Sequence, residues 1–137
     1  MLSPDAPFSY AITPHFYYGE LCNYEKERRF TDQGQCLIAE ELCNYLEKLR
    51  KLFGPIQITS GHRPPAINAE VGGASQSEHL FKSGEGAVDI YPISGDGYEL
   101  EKYVDGDWPF SVGYGMSYRG FVHIGIRAGR PKVRWDY

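Results

Sequence analysis

Between Thr31 and Phe53 the apolar residues Leu37, Ile38, Leu42, Tyr45, Leu46, Leu49, Leu52 and Phe53 recur at helical spacing, and Gly54–Pro55 stops the run. Thr31 and Asp32 are both competent N-caps. Glu40 and Glu41 lie early, and Lys48, Arg50 and Lys51 late, in the order the helix dipole favours. A helix striped in this way needs a partner surface for its apolar side. With 137 residues the chain is long enough for one domain and one core, so that surface has to come from the same fold.

The partner reads as a sheet. Ile56–Ser60 (IQITS) is a β-branched run, Ala87–Tyr91 (AVDIY) a second strand, and Phe110–Tyr114, Phe121–Arg127 and Lys132–Trp135 three more, with Gly113, Gly115 and Gly129–Arg130–Pro131 as turn signals. Pro64–Pro65 opens a brief helix through Ala69, ended by Gly72–Gly73, and Tyr98–Tyr103 forms another short one. Residues 1–30 show no clear period and are expected to form an irregular wrap pinned by Phe8, Tyr10, Phe16 and Tyr17, with His15 at the surface. The expected fold class is α+β: one structural unit over 31–137, a mainly antiparallel sheet backed by one long helix.

Composition narrows the function. Charged residues are 23% and apolar ones 42%, which places the chain among ordinary globular proteins. A net charge of −4 without a basic run argues against nucleic acid, and no apolar run reaches a membrane span. The 11 tyrosines serve either a ligand groove or a small aromatic-rich core. Cys22, Cys36 and Cys43 have no zinc-ribbon spacing and read as reduced thiols, with a Cys22 bridge to either of the others as the alternative. The N-terminal stretch has no basic or apolar leader region, so synthesis in the cytoplasm without a signal peptide is expected.

Chemistry concentrates between Ile58 and Ile90 and again at GFVHIGIR. Along a strand alternate side chains share a face, so His123 points away from Val122, Ile124 and Ile126, and Asp89 away from Val88 and Ile90. His79, from the loop between the strands, can join them. Two imidazoles and a carboxylate leave one position of a four-coordinate metal open, the ligand count of a catalytic zinc. Cobalt or manganese fits the same donor set.

The stretches ITSGHRPPAIN, VGGASQSEH, GEGAVDI, SVGYG, GFVHIGIR and VRW resemble the zinc D-alanyl-D-alanine carboxypeptidase family, whose fold is shared by the hedgehog signalling domain. The family signature is Ser-x-His, a short spacer, Gly-x-Ala-x-Asp and a later His. The resemblance implies one Zn²⁺ per chain on His79, Asp89 and His123, with Arg63 binding substrate and polarising the scissile carbonyl, and Ser77 hydrogen-bonding beside the site. It implies a peptidase acting on peptidoglycan stem peptides, of D-Ala-D-Ala carboxypeptidase or L,D-endopeptidase type. A monomeric phage endolysin or virion-associated protein, reaching the cell wall after lysis or from a phage particle, fits that expectation.

Two departures stand out. The spacer from His79 to Asp89 is longer than the family usually carries, and Glu85 replaces the first Gly of the motif. The positions where the family places a general base are here Gly120, Phe121 and Gly125, none of which can move a proton. Glu85, beside the ligand loop, is the favoured substitute, with Glu78, His62 and Asp136 as others. The alternative reading is a zinc-bearing, catalytically weak binding or structural domain such as a virion component.

Overall fold

The computed structural model describes residues 1–137. Ala11–Thr13 (β1) and Phe16–Tyr17 (β2) form a small antiparallel hairpin, followed by one helical turn at Tyr18–Leu21 (α1). Gln33–Phe53 is the long helix α2. Ile56–Ser60 (β3), Pro65–Glu70 (α3), Gly86–Pro92 (β4), Gly97–Asp107 (α4), Ser111–Tyr114 (β5), Met116–Arg119 (α5), Val122–Ile126 (β6) and Val133–Asp136 (β7) complete the chain. The main sheet has the order β3-β4-β6-β5-β7. Every neighbouring pair is antiparallel except β5 and β7, which run parallel.

Asp32 caps α2: its carboxylate accepts the Gln35 N–H at 2.9 Å, and the Gln35 side chain returns to the Asp32 N–H. Ile38, Leu42, Leu46 and Leu49 are buried as the stripe requires, joined by Cys36, Ala39 and Cys43. Leu37 and Leu52 lie off that stripe and are exposed. These α2 residues pack into one core with Val88 and Ile90 of β4, Val112 of β5, Val122, Ile124 and Ile126 of β6, and Leu100 and Val104 of α4. The three cysteines are buried and free, with no bridge among them.

The first thirty residues are more ordered than their weak period suggests. Tyr18 is wholly buried; its hydroxyl donates to the Pro4 carbonyl at 2.8 Å and accepts the Phe30 N–H at 2.9 Å. Phe16 is buried too, whereas Tyr17 is exposed, and His15 sits at the surface against Glu47. No helix is long and apolar enough to cross a membrane.

Candidate metal centre

The sheet register sets the site. Asp89 of β4 pairs with His123 of β6, His123 with Gly113 of β5, and Gly113 with Trp135 of β7. Directly opposed residues share a face, so a single row across four strands carries a carboxylate, an imidazole, a gap and an indole. The gap is needed. A Cβ on Gly113 would lie 3.0 Å from the Cβ atoms of both His123 and Tyr137, and 3.2 Å from the Trp135 ring. Gly113 thus belongs inside the sheet, beneath packed side chains, and marks no turn.

His79 reaches this row from a 3-10 turn at Glu78–Leu80. Ser77 caps the turn, its Oγ accepting the His79 N–H at 3.1 Å. The His79 carbonyl accepts the Arg63 N–H at 2.7 Å, which ties the turn to the segment after β3. The extra residues of the spacer are taken up by a left-handed Phe81 (φ 51°), whose ring enters the core, and by a turn from Lys82 to Glu85. The loop therefore returns the chain to β4 with Asp89 beside His79.

His79, Asp89 and His123 are 0%, 2% and 2% exposed, and one donor atom from each lies within 4.8 Å of the others. Each nitrogen has a defined task. His79 Nδ1 lies 2.8 Å from the Gly61 carbonyl, which can only accept, so this nitrogen carries the proton and Nε2 faces inward. His79 Nε2 is 3.1 Å from Asp89 Oδ2. His123 Nδ1 is 2.9 Å from Asp89 Oδ1, and His123 Nε2 is 2.7 Å from Glu78 Oε1. Tyr137 Oη closes the group, donating to Asp89 Oδ2 at 3.2 Å and standing 3.2 Å from His79 Nε2.

The charge balance follows from these contacts. Burial raises the Asp89 carboxyl, but the two imidazoles outweigh it and hold the group well below the usual carboxylate range. Burial lowers His123, yet hydrogen bonds to Asp89 and Glu78 leave it raised overall. His79 is lowered, chiefly by burial. Burial pushes the Tyr137 phenol up, the Asp89 charge reinforces this, and Arg63 opposes it. Two imidazoles, each with its outer nitrogen backed by an acceptor, and a carboxylate facing both are a donor set that fits a zinc-type ion.

Two clefts open beside the cluster. One of about 340 Å³ is lined by Arg63, Ser77, Arg119, Trp135, Asp136 and Tyr137. The other, about 170 Å³, is lined by Ser77, Glu78, His123, Arg127, Trp135 and Tyr137. Arg63 Nε is buried without a partner, and Arg63 Nη2 is 3.4 Å from Ser77 Oγ. The larger depression of about 470 Å³ between Phe53 and Asp107 contains none of His79, Asp89 and His123, so size alone does not identify the site.

The fold thus gathers His79, Asp89, His123, Arg63 and Ser77 around one centre. Glu85 is engaged elsewhere: it immediately precedes β4, and its carboxylate accepts the Ala128 N–H at 3.1 Å, past the end of β6. His62 is buried between Phe30 and Phe81 with its Nδ1 on the Arg28 carbonyl. Asp136 lines the larger cleft. Glu78 is buried at 4% exposure inside the site. Tyr137, Trp135 and Ser111 are site residues that sequence pattern alone did not bring forward. The sequence signals available were glycines inside strands, which mark close approach of another group: Gly113 beneath Trp135 and Tyr137, and Gly125 opposite Ser111.

No curated protein matches the chain. Comparison with protein families matches residues 14–125 to Peptidase M15, a span that runs from the N-terminal hairpin into β6 and includes His79, Asp89 and His123. On that match and on the fold and donor set beneath it, the chain belongs to the peptidase M15 family.

Proposed function

We propose that the protein is a zinc-dependent peptidase that hydrolyses peptidoglycan stem peptides, as a D-Ala-D-Ala carboxypeptidase or an L,D-endopeptidase. The observation that carries this reading is the convergence of His79 Nε2, Asp89 and His123 Nδ1 beside a cleft holding Arg63 and Ser77. Zinc on these three side chains would supply Lewis acidity toward a scissile carbonyl and would acidify water at its open position.

The remaining roles fall to the chain itself. Arg63, with an unpartnered buried Nε and a neighbouring hydroxyl at Ser77, offers directional donors to a peptide carboxylate or carbonyl oxygen. Arg119 stacks on Tyr137 with its guanidinium 4.9 Å from the ring centroid and adds a second cation to the same cleft. Tyr137 Oη sits over the cluster, where it can donate to oxygen as negative charge develops. Trp135 and Tyr137 wall the cleft and exclude water from one side.

A second reading, a zinc-bearing binding domain with weak turnover, draws on Gly120, Phe121 and Gly125 standing where a proton-carrying side chain is expected. One experiment separates the two. Metal content by mass spectrometry is measured on wild type and His123→Ala, and both are assayed for hydrolysis of purified cell wall with and without chelator. Near-stoichiometric zinc with chelator-sensitive hydrolysis, both lost in the variant, supports the peptidase. Zinc without hydrolysis supports the binding domain, and absence of metal from the wild type refutes both. Running the assay across wall types also tests the proposed setting, a phage lysis protein.

A further inference from the structure

Glu78 occupies the middle position of Ser77–Glu78–His79, where a charged residue beside a ligand loop would ordinarily face water. Its carboxylate instead lies under β6. Oε1 is 2.7 Å from His123 Nε2, while Oε2 accepts from Ser111 Oγ at 2.6 Å and from Arg127 Nε at 3.1 Å. The space it fills is supplied by Gly125, the next residue on the His123 face of the strand. A Cβ built on Gly125 would stand 2.2 Å from Glu78 Oε1 and 3.1 Å from His123 Nε2. The carboxylate from the turn and a side chain from the strand are therefore mutually exclusive.

Resting on the metal-site reading above, we propose that Glu78 is the positioning residue of the centre. By accepting the His123 Nε2–H it fixes the tautomer that presents Nδ1 to Asp89 and His79, and it holds the place an acidic residue at position 125 would otherwise take. A metal-ligating imidazole is tuned by the partner of its outer nitrogen, and losing such a partner typically weakens metal binding about 10–100-fold. Both Glu78 oxygens already have partners in the protein, so its action is exerted through His123. Ser111 and Arg127 keep the carboxylate from swinging away, which gives the pair of loop acid and strand glycine a fixed geometry.

Three variants test this: Glu78→Gln, Glu78→Ala, and the swap Glu78→Ala with Gly125→Asp. Zinc affinity is measured by competition with a chromophoric chelator. The visible spectrum of the cobalt-substituted protein and the melting temperature of the metal-free protein are recorded alongside. The expected result is an affinity loss of about 10–100-fold for Glu78→Ala, a smaller loss for Glu78→Gln, and recovery of most of the loss in the swap. Recovery is expected because a carboxylate built from a Cβ 3.1 Å from Nε2 reaches that nitrogen. The cobalt spectrum should shift in Glu78→Ala and return in the swap. A wild-type protein that binds zinc, with Glu78→Gln and the swap both matching it or both failing in step with metal-free stability alone, would overturn the proposal and leave the metal centre standing. A wild type without zinc affinity would overturn the centre itself.

Discussion

Ser111→Ala removes one oxygen from the site and little else. The Ser111 hydroxyl is fully buried and donates to Glu78 Oε2 at 2.6 Å, a short charge-assisted bond with no solvent at hand to replace it. Alanine keeps the β-carbon and the strand backbone, so the cavity left is that of a single oxygen. Hydrogen bonds to charged groups contribute about 1.5–3 kcal/mol. Arg127 Nε stays on the same oxygen, but its side chain is 43% exposed and its share is screened by water, which places the expected loss near the middle of that range. Per-residue unfolding entropies imply about 0.29 kcal/mol per kelvin for this chain, so a loss of about 2 kcal/mol lowers the melting temperature by about 7 °C. Calorimetry on the metal-free protein reads this directly. In a Glu78→Gln background the same substitution should cost less, because the bond it breaks no longer ends on a charge. A melting temperature within a degree of wild type, or an equal cost in both backgrounds, would refute the view that a buried carboxylate is anchored here.

Metal should stabilise the fold through the same residues. At free zinc about 100 times its dissociation constant the gain is about 2.7 kcal/mol, a rise near 9 °C by calorimetry, and His79→Gln should show none of it. His62 is held below its ordinary pKa mainly by burial, so the stability it contributes is present above about pH 6.5 and is lost as pH falls through its lowered folded value. Urea unfolding at pH 8 and pH 5 should therefore show a smaller loss for His62→Gln than for wild type; equal losses would contradict the assignment. Gly113→Ala crowds His123, Trp135 and Tyr137 at once and should cost about 1–3 kcal/mol while shifting tryptophan fluorescence, whereas an unchanged spectrum and midpoint would show that the row has slack.

The parts of this molecule that could be read from sequence are those whose cause is local. The stripe of α2 and its Gly54 stop, the β-branched IQITS and the alternation around His123 all follow from backbone periods of 3.6 and 2. Alternation also separated the face of β4 and β6 that carries Asp89 and His123 from the core face, while His79, on a loop turn, was singled out with them by the resemblance of Ser77–Glu78–His79 to the family signature. The N-terminal hairpin and α5 are shorter than any period can reveal, at two to four residues each. Leu37 and Leu52 are apolar residues of α2 that lie off its buried stripe and stay exposed, so a count of apolar residues overstates the covered face.

The burial of Glu78 and the placement of Tyr137 were hidden for a different reason. Glu78 is buried because Ser111, Arg127 and His123, 33 to 49 residues away in the chain, supply partners for a charge that would otherwise remain in water. Tyr137 reaches the cluster through the parallel pairing of β5 with β7, a choice of neighbour that hydropathy does not encode. Glu85 shows the converse. It adjoins the ligand loop in sequence, but it lies before the start of β4 and its carboxylate is taken up by the Ala128 N–H.

The site's floor and its wall rest on strands of unequal security. Asp89 and His123 lie on β4 and β6, each hydrogen-bonded to a strand on both sides, while Trp135 and Tyr137 are carried by or follow β7, which pairs on one side only. Edge segments open at lower free energy than central ones. Release of β7 alone would lift the indole and phenol from the cluster with the three ligands still in register. The rim of the site can thus loosen without disturbing the cluster of His79, Asp89 and His123 beneath it.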